Sequence, residues 1–279
     1  MNWSKHPVVW HDGDTLMVSV VFTWQLPIVR RLCEWNHQAG KHIRVGGVAI
    51  ELMPSFLSDI AEVGGQYPAL QRHNQNATFT SRGCIRSCEF CAVPKVEGGL
   101  VELNEWEPKP IVCDNNILAC SQAHFDKVID RLKPLKGIDF NQGLDARLLT
   151  SHHLERLREL HTPILRFAWD HINYERFVLD AIKRTMASGF PRSRIRCYVL
   201  FGFKDTPEDA LYRLETLKSL GIKPNPQRYQ PLDILKKDSF VDKNWTEYEL
   251  HRMVRYWSRQ NWLSKMPYEE YTISYRRKA

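Results

Sequence analysis

The sequence predicts an α/β fold built on a parallel sheet, and two observations carry that expectation. From Ala77 onward, short β-branched and aromatic runs alternate with amphipathic helical patterns. Before them, an apolar strand, a helix and a second strand follow in order, the helix opening on a proline and closing on a glycine.

Taken in order, the first strand is "LMVSVVF" (16–22), the helix "PIVRRLCEWNHQAG" (27–40) and the second strand "HIRVGGVAI" (42–50). Together they read as half of a Rossmann-like βαβ unit. Gly46-Gly47 is no nucleotide fingerprint, because GxGxxG is absent. The polar stretch "GGQYPALQRHNQN" (64–76) reads as a linker. Strand candidates then fall at 77–81, 110–114, 138–141, 164–169, 195–201 and 226–230. Helical patterns lie between the later ones: "HFDKVIDRL", "TSHHLERLREL", "YERFVLDAIKRTMAS" and "TPEDALYRLETLKSLG". The last has Thr206 as N-cap, Pro207 at the first helical position and Gly221 at the C-terminal end. Periodicity leaves open whether such a sheet is curved or doubly wound. The expected organisation is an N-terminal unit over 1–75, a core over 76–235 and a C-terminal helix with a basic, aromatic tail over 236–279.

Composition bounds the function. The 279 residues are 43% hydrophobic and 25% charged, which supports a packed core. The longest apolar run, Leu16–Trp24, is too short for a membrane span, and Asp12 and Asp14 precede it where a signal peptide needs positive charge. A soluble, cytoplasmic protein with no membrane partner is expected. The net charge is +7, and residues 251–279 hold seven Lys/Arg against Glu269 and Glu270. That basic end suggests a polyanionic partner.

Seven cysteines are present, and three crowd into eight residues as Cys84-x3-Cys88-x2-Cys91 within "FTSRGCIRSCEFCAVP" (79–94). Thiolates are soft ligands for zinc, copper(I) or iron–sulfur clusters. Structural zinc takes four protein ligands, in which case a distant residue completes the set. A 4Fe–4S cluster held by three cysteines instead leaves one iron open to a non-protein ligand. Cys33, Cys113, Cys120 and Cys197 are scattered, and Cys33, Cys113 and Cys120 are expected to be structural.

The CxxxCxxC pattern with Phe90 before its last cysteine resembles the signature loop of the radical S-adenosylmethionine (SAM) superfamily. The wider "SRGC…C.FC.VP…EG" is most similar to methylthiotransferases and cobalamin-domain radical SAM proteins, over roughly Ala77 to Leu232. The resemblance implies a partial (β/α)6 TIM-like barrel, preceded by the truncated half-Rossmann unit. It implies a 4Fe–4S cluster on Cys84, Cys88 and Cys91, SAM on the open iron, and an electron donor such as flavodoxin or ferredoxin. Reductive cleavage of SAM then gives a 5′-deoxyadenosyl radical that abstracts hydrogen from substrate.

In such a barrel the site lies at the C-terminal ends of the strands. The second strand end offers Asp114, Asn115 and Asn116 where the superfamily carries a Gly-Gly-Glu-like element, so the SAM amino group falls to the asparagines. After the third strand come Gln142, Asp145 and Arg147, with Arg147 as the candidate for the methionine carboxylate. Asp145 and Arg147 are equally readable as an ion pair at a helix start. Asp170 ends the fourth strand, facing the cavity or capping the next helix. "GFKDTPED" is similar to the "GFPGET-E-D" turn of methylthiotransferases, where Gly202 either admits adenine or serves an ordinary turn. Tyr229 and Gln230 end the sixth strand, either as contacts or as packing. No catalytic residue is named by the resemblance.

Two departures limit it. Methylthiotransferases carry three more cysteines in an N-terminal domain, and this chain has only Cys33 before Cys84. The cobalamin-ligating Asp-x-His-x-x-Gly is also absent: Val9 stands two positions before His11, and no cobalamin is expected.

"TEYELHRMVRYWSRQNWLSK" (246–265) reads as a helix with an apolar stripe (Leu250, Met253, Val254, Trp257) and a basic one (Arg252, Arg255, Arg259). Tyr256, Trp257, Trp262, Tyr268, Tyr271 and Tyr275 are interleaved with the charges, and Arg276, Arg277 and Lys278 follow. Arginines on phosphates and aromatics on bases would bind nucleic acid; otherwise the helix closes the core with its tryptophans inward. The expectation is a radical SAM enzyme acting on a nucleic acid or nucleotide-like substrate. The alternatives are a peptide or small-metabolite substrate, or a non-catalytic, metal-stabilised nucleic-acid-binding protein.

Overall fold

The computed structural model describes residues 3–64, 69–263 and 265–273. The chain divides into two units, residues 1–109 with 230–240, and residues 110–229 with 241–279. The fold is a mixed α/β one with several sheets and parallel strands, and no closed barrel forms among the described residues. No helix among them is long and apolar enough to cross a membrane.

The first unit opens on a hairpin that the sequence reading did not contain. Strands β1 (Val8–Asp12) and β2 (Thr15–Ser19) pair antiparallel, with Asp12 opposite Thr15 and Gly13-Asp14 as the two-residue turn. Helix α1 (Leu26–Gln38) then returns the chain to β3 (His42–Gly46), which pairs parallel with β2. This is the expected βαβ unit, with one correction. The second strand ends at Gly46 because residues 48–52 turn into helix α2 (Val48–Leu52), where Ala49 N–H donates to the Val20 carbonyl at 3.1 Å. Strand β4 (Glu62–Val63) extends the sheet in the order β1-β2-β3-β4. Leu16, Val18, Leu26, Val29, Cys33, Val45 and Ile50 form its core, so Cys33 is structural as expected.

The expected linker at 64–76 contains a short helix, α3 (Leu70–His73), and residues 65–68 lie outside the described residues. His73 Nε2 meets Ser19 Oγ at 2.9 Å, and burial lowers its pKa. The first strand candidate of the core splits into β5 (Ala77–Thr78) and β6 (Ser81–Arg82). After helix α4 (Val93–Val96), strand β7 (Val101–Glu102) pairs antiparallel with β6.

The second unit is a regular β/α alternation: β8 (Ile111–Val112), α5 (Gln122–Leu132), β9 (Asp139–Phe140), α6 (Ser151–Leu157), β10 (Leu165–Ala168), α7 (Glu175–Ala187), β11 (Ile195–Phe201), α8 (Pro207–Ser219), β12 (Lys223–Arg228) and α9 (Glu247–Ser258). β8 pairs parallel with β9, and β10, β11 and β12 pair parallel in that order. Between the two sets, Phe140 N–H donates to the Ile164 carbonyl and Ile164 N–H to the Ile138 carbonyl, at 3.1 and 2.8 Å. Each crossover is a helix, so consecutive strands sit side by side and their C-terminal ends share one edge.

Caps fix the helix starts. Thr206 accepts from Asp209 N–H at 3.2 Å, as expected from its sequence position, and Thr150 and Thr246 both form capping boxes. The last strand candidate is corrected from 226–230 to Lys223–Arg228. The C-terminal helix is shorter than expected: it stops at Ser258, short of Lys265.

Candidate functional site

Each unit carries part of the predicted set. In the first, the cysteine loop begins where β6 ends. Gly83 has φ +71° there, and a Cβ on it would fall 2.0 Å from the Gly99 carbonyl oxygen, so only glycine lets the two backbones meet. Gly83 N–H donates to Glu97 Oε2 at 2.8 Å and Cys84 N–H to the Gly98 carbonyl at 3.2 Å. Glu97 also pairs with Arg82 at 2.9 Å, and the Arg82 guanidinium lies 3.8 Å from the centre of the Phe79 ring. The far end of the loop is tied by Cys91 N–H to the Cys88 carbonyl at 3.0 Å and by α4 directly behind it. A loop pinned at both ends confines its three thiols to one short arc.

The environment of these thiols differs from that of the other four. None of the seven cysteines is in a disulfide; Cys84, Cys88 and Cys91 are half-buried, whereas Cys33, Cys113, Cys120 and Cys197 are buried. Burial pushes the Cys33 thiol up to about 11 and the Cys197 thiol well above its ordinary value, which keeps both protonated and inert. Arg86 N–H donates to Cys84 Sγ at 3.4 Å, the kind of bond that a ligating sulfur accepts. The donor set therefore fits a thiophilic metal or an iron–sulfur cluster in ligand type, exposure and sequence spacing. Among the described residues, no group of three or more His, Cys, Asp or Glu side chains is arranged so that it could hold a metal ion. Phe90, just before Cys91, is half-buried.

In the second unit, the predicted polar residues lie at or just beyond the C-terminal ends of β8, β9, β10 and β11. Asp114 and Asn116 are 3% exposed, Asn115 is half-buried and Gln142 is exposed. Asn116 Nδ2 donates to Asp145 Oδ2 at 3.4 Å. Asp145 takes a forked pair from Arg147, Nε to Oδ1 at 2.7 Å and Nη2 to Oδ2 at 3.0 Å, and also accepts Arg147 N–H at 3.1 Å. The Asp145–Arg147 ion pair at a helix start, one of the two sequence readings, is thus formed. The Arg147 guanidinium also lies 4.8 Å from the centre of the Tyr174 ring. Burial pushes the Asp170 carboxyl up to about 6; Arg213 and Arg147 pull it back, and Asp145 pushes it further up. Asn116, Asp145, Arg147 and Asp170 therefore make one electrostatically linked group, with Gln142 outside it.

The turn after β11 has its own logic. Gly202 takes φ +78°, and a Cβ there would meet Leu250 Cδ2 at 2.9 Å, so its glycine has a packing reason within the unit. Asp205 Oδ1 accepts from Gly202 N–H, Phe203 N–H and Trp245 Nε1 at 2.9, 3.2 and 3.0 Å. Arg213 clamps its other oxygen and donates to the carbonyls of Trp169 and Leu200 at 2.7 and 2.8 Å. Burial pushes the Asp205 carboxyl up, and Arg213 and Trp245 pull it back. Sequence reasoning passed over Asp205 and Arg213; an arginine in the otherwise apolar stripe of the helix that starts at Asp205–Thr206–Pro207 was the available signal. Beyond β12, Gln230 is bonded to Asp238, Nε2 to Oδ1 at 2.8 Å. Tyr229 N–H donates to the Phe201 carbonyl at 2.9 Å, and its ring packs 4.6 Å from that of Phe203.

The C-terminal helix buries Leu250, Met253, Tyr256 and Trp257, so this part of its aromatic set is core. Arg252 is engaged locally, donating from Nε to the Tyr271 carbonyl at 2.6 Å and from Nη2 to the carbonyls of Tyr268 and Glu269. That corrects the expected basic stripe: Arg255 and Arg259 are exposed, and Arg252 braces the following segment. The Trp262 side chain, Tyr275, Arg276, Arg277 and Lys278 lie outside the described residues. No known family model matches the chain, and no curated protein matches it significantly.

Proposed function

We propose that this chain is a radical SAM enzyme whose strands β8–β12 belong to a partial barrel. The observation that carries the reading is the Cys84-x3-Cys88-x2-Cys91 loop, pinned at both ends and half-buried while every other cysteine is buried. Cys84, Cys88 and Cys91 would hold a 4Fe–4S cluster. Together with SAM, such a cluster would supply one-electron cleavage of a sulfonium and, through it, hydrogen abstraction from a substrate carbon.

The remaining work belongs to the chain. Arg86 N–H holds the Cys84 sulfur in place through its hydrogen bond. Within the second unit, the carboxamides of Asn115 and Asn116 would supply acceptors for an ammonium group such as that of SAM. Asp145 fixes the guanidinium plane of Arg147, whose outer edge would suit a carboxylate. Asp170, with its raised pKa, holds a proton up to about pH 6 beside these groups. The substrate class proposed is a nucleic acid or nucleotide-like molecule, on the strength of the net charge of +7 and of exposed Arg255 and Arg259.

The test is electron paramagnetic resonance of anaerobically reconstituted, reduced protein with and without SAM. A cluster signal that changes on adding SAM and is lost in Cys88→Ala supports the proposal. A signal indifferent to SAM would mean a redox or structural centre. A colourless protein carrying about one zinc would replace the enzyme with a zinc-stabilised binding protein.

A further inference from the structure

The two faces of the β10–β11–β12 sheet have opposite chemistry. One carries Leu165, Phe167, Ile195, Cys197, Val199 and Phe201, all fully buried. On the other, the strand register sets Arg166 beside Arg196 and Arg196 beside Lys223. Neighbouring strands lie about 4.8 Å apart, so three cations stand in one row about 10 Å long. Two residues further along the same face, Tyr198 stands beside Asn225.

One carboxylate answers that row. Arg166 forms a buried, forked ion pair with Asp139, Nε to Oδ1 at 2.6 Å and Nη2 to Oδ2 at 2.7 Å. Tyr198 closes its flank, with the Arg166 guanidinium 5.7 Å from the ring centre and the hydroxyl bonded to the Asn141 carbonyl at 2.8 Å. Arg166 is thereby neutralised. Arg196 and Lys223 form no ion pair with any described residue. Arg196 Nε is buried without a hydrogen-bond partner, and so is Asn225 Nδ2. Burial and the neighbouring arginines both lower the pKa of Lys223, and burial and Arg166 lower that of Arg196.

Partly desolvated cations with an orphaned donor between charges cost stability unless an anion completes them. The charge left over after Asp139 is two, which matches a phosphate monoester carrying about −1.5 to −2, or two successive diesters of a strand, and exceeds a single carboxylate. The planar Arg196 fork suits phosphate oxygens, Lys223 adds a point charge, and the Asn225 amide adds a neutral donor.

We propose that this end of the sheet face binds a phosphate group, Arg196 and Lys223 supplying the charge and Asn225 a hydrogen bond. The phosphate is that of a nucleotide or of a nucleic-acid strand. The row lies wholly within the second unit, so the proposal stands whether or not the cysteine loop binds a cluster.

The test is isothermal titration of the full chain at low ionic strength with inorganic phosphate, then with AMP and a ten-nucleotide single-stranded DNA. Binding of phosphate is expected to weaken about tenfold in Arg196→Gln and in Lys223→Gln, and to be unchanged in Arg176→Gln, an exposed cation on α7. Tighter binding of DNA than of AMP would assign the phosphate to a strand, and the reverse order to a free nucleotide. Equal affinity in wild type and both row variants, or no phosphate binding by the folded wild type, would overturn the site. A readout independent of mutant folding is the 13C signal of reductively methylated Lys223 in the wild type. Phosphate should shift it; a signal unmoved at saturating phosphate counts against the proposal.

Discussion

The largest sheet of each unit treats its second face differently. In the first unit, β2 is buried at Leu16, Met17, Val18 and Ser19 in succession, so side chains on both faces are covered. In the second, β11 alternates strictly between buried and half-buried positions, and the half-buried face holds Arg196, Tyr198 and Leu200. A strand covered on both sides can only contribute packing. A strand that keeps a polar face beside two other strands offers a row of side chains at fixed spacing, which is what recognition needs. The difference teaches where chemistry can be sought: the first sheet is scaffold, while the second holds both a polar face and a polar C-terminal edge.

The sharpest way to break the comparison is to remove charge from inside the second unit. Arg213→Ala would strand the buried Asp205 carboxylate and the carbonyls that the guanidinium satisfies, since the side chains are 0% and 3% exposed. Urea denaturation should show a loss of about 3–5 kcal/mol. In the first unit the corresponding damage is a cavity: Leu26→Ala, at a fully buried position, is expected to cost about 2–5 kcal/mol by the same measurement. If Arg213→Ala were tolerated, the polar edge would not depend on that pair.

Asp170 gives a pH signature confined to the second unit. The folded chain binds its proton more tightly than the unfolded chain does, because burial raises its pKa to about 6. Folding is therefore favoured most below about pH 4, and this contribution is lost as pH rises through 6. Asp170→Asn should flatten that slope and leave the protein about 3 kcal/mol more stable at pH 7, read from denaturation at a series of pH values.

Gly83→Ala sharpens the reading of the cysteine loop. Its Cβ would displace the Gly99 carbonyl, so the variant should keep all three thiols yet incorporate less iron on reconstitution, with a stability loss of about 1–3 kcal/mol. Iron incorporation equal to wild type would show that anchoring at Gly83 does not shape the loop. The smallest effect is expected from Thr206→Ala, which removes one N-cap bond and should cost about 1 kcal/mol in thermal unfolding.

Much of the fold was legible because it is local. Thr206 and Pro207 start α8 where they predict a start, since an N-cap bond spans three residues and needs no distant partner. Strand β11 matches its expected 195–201 span residue for residue, because alternation over seven positions fixes a strand by itself. Where the reading slipped, a distant contact decided. Residues 48–50 look like strand but lie in α2, whose second N–H reaches the Val20 carbonyl from another part of the chain. Arg252 looked like part of a solvated basic stripe but is bonded to three carbonyls at positions 268–271.

The sequence by itself determined the α/β alternation, the helix caps and the three-cysteine loop, all of which rest on residues within a few positions of one another. Only the tertiary structure decided which polar residues are already satisfied. Arg147 is forked onto Asp145, Arg166 onto Asp139, and Arg213 is paired with Asp205. Arg196 and Lys223, indistinguishable from these in sequence, are left facing the same side of a sheet with one carboxylate among three cations. The physical reason is register: parallel strands separated by helices bring together residues about 30 apart, and nothing in either strand alone records its neighbour's charge.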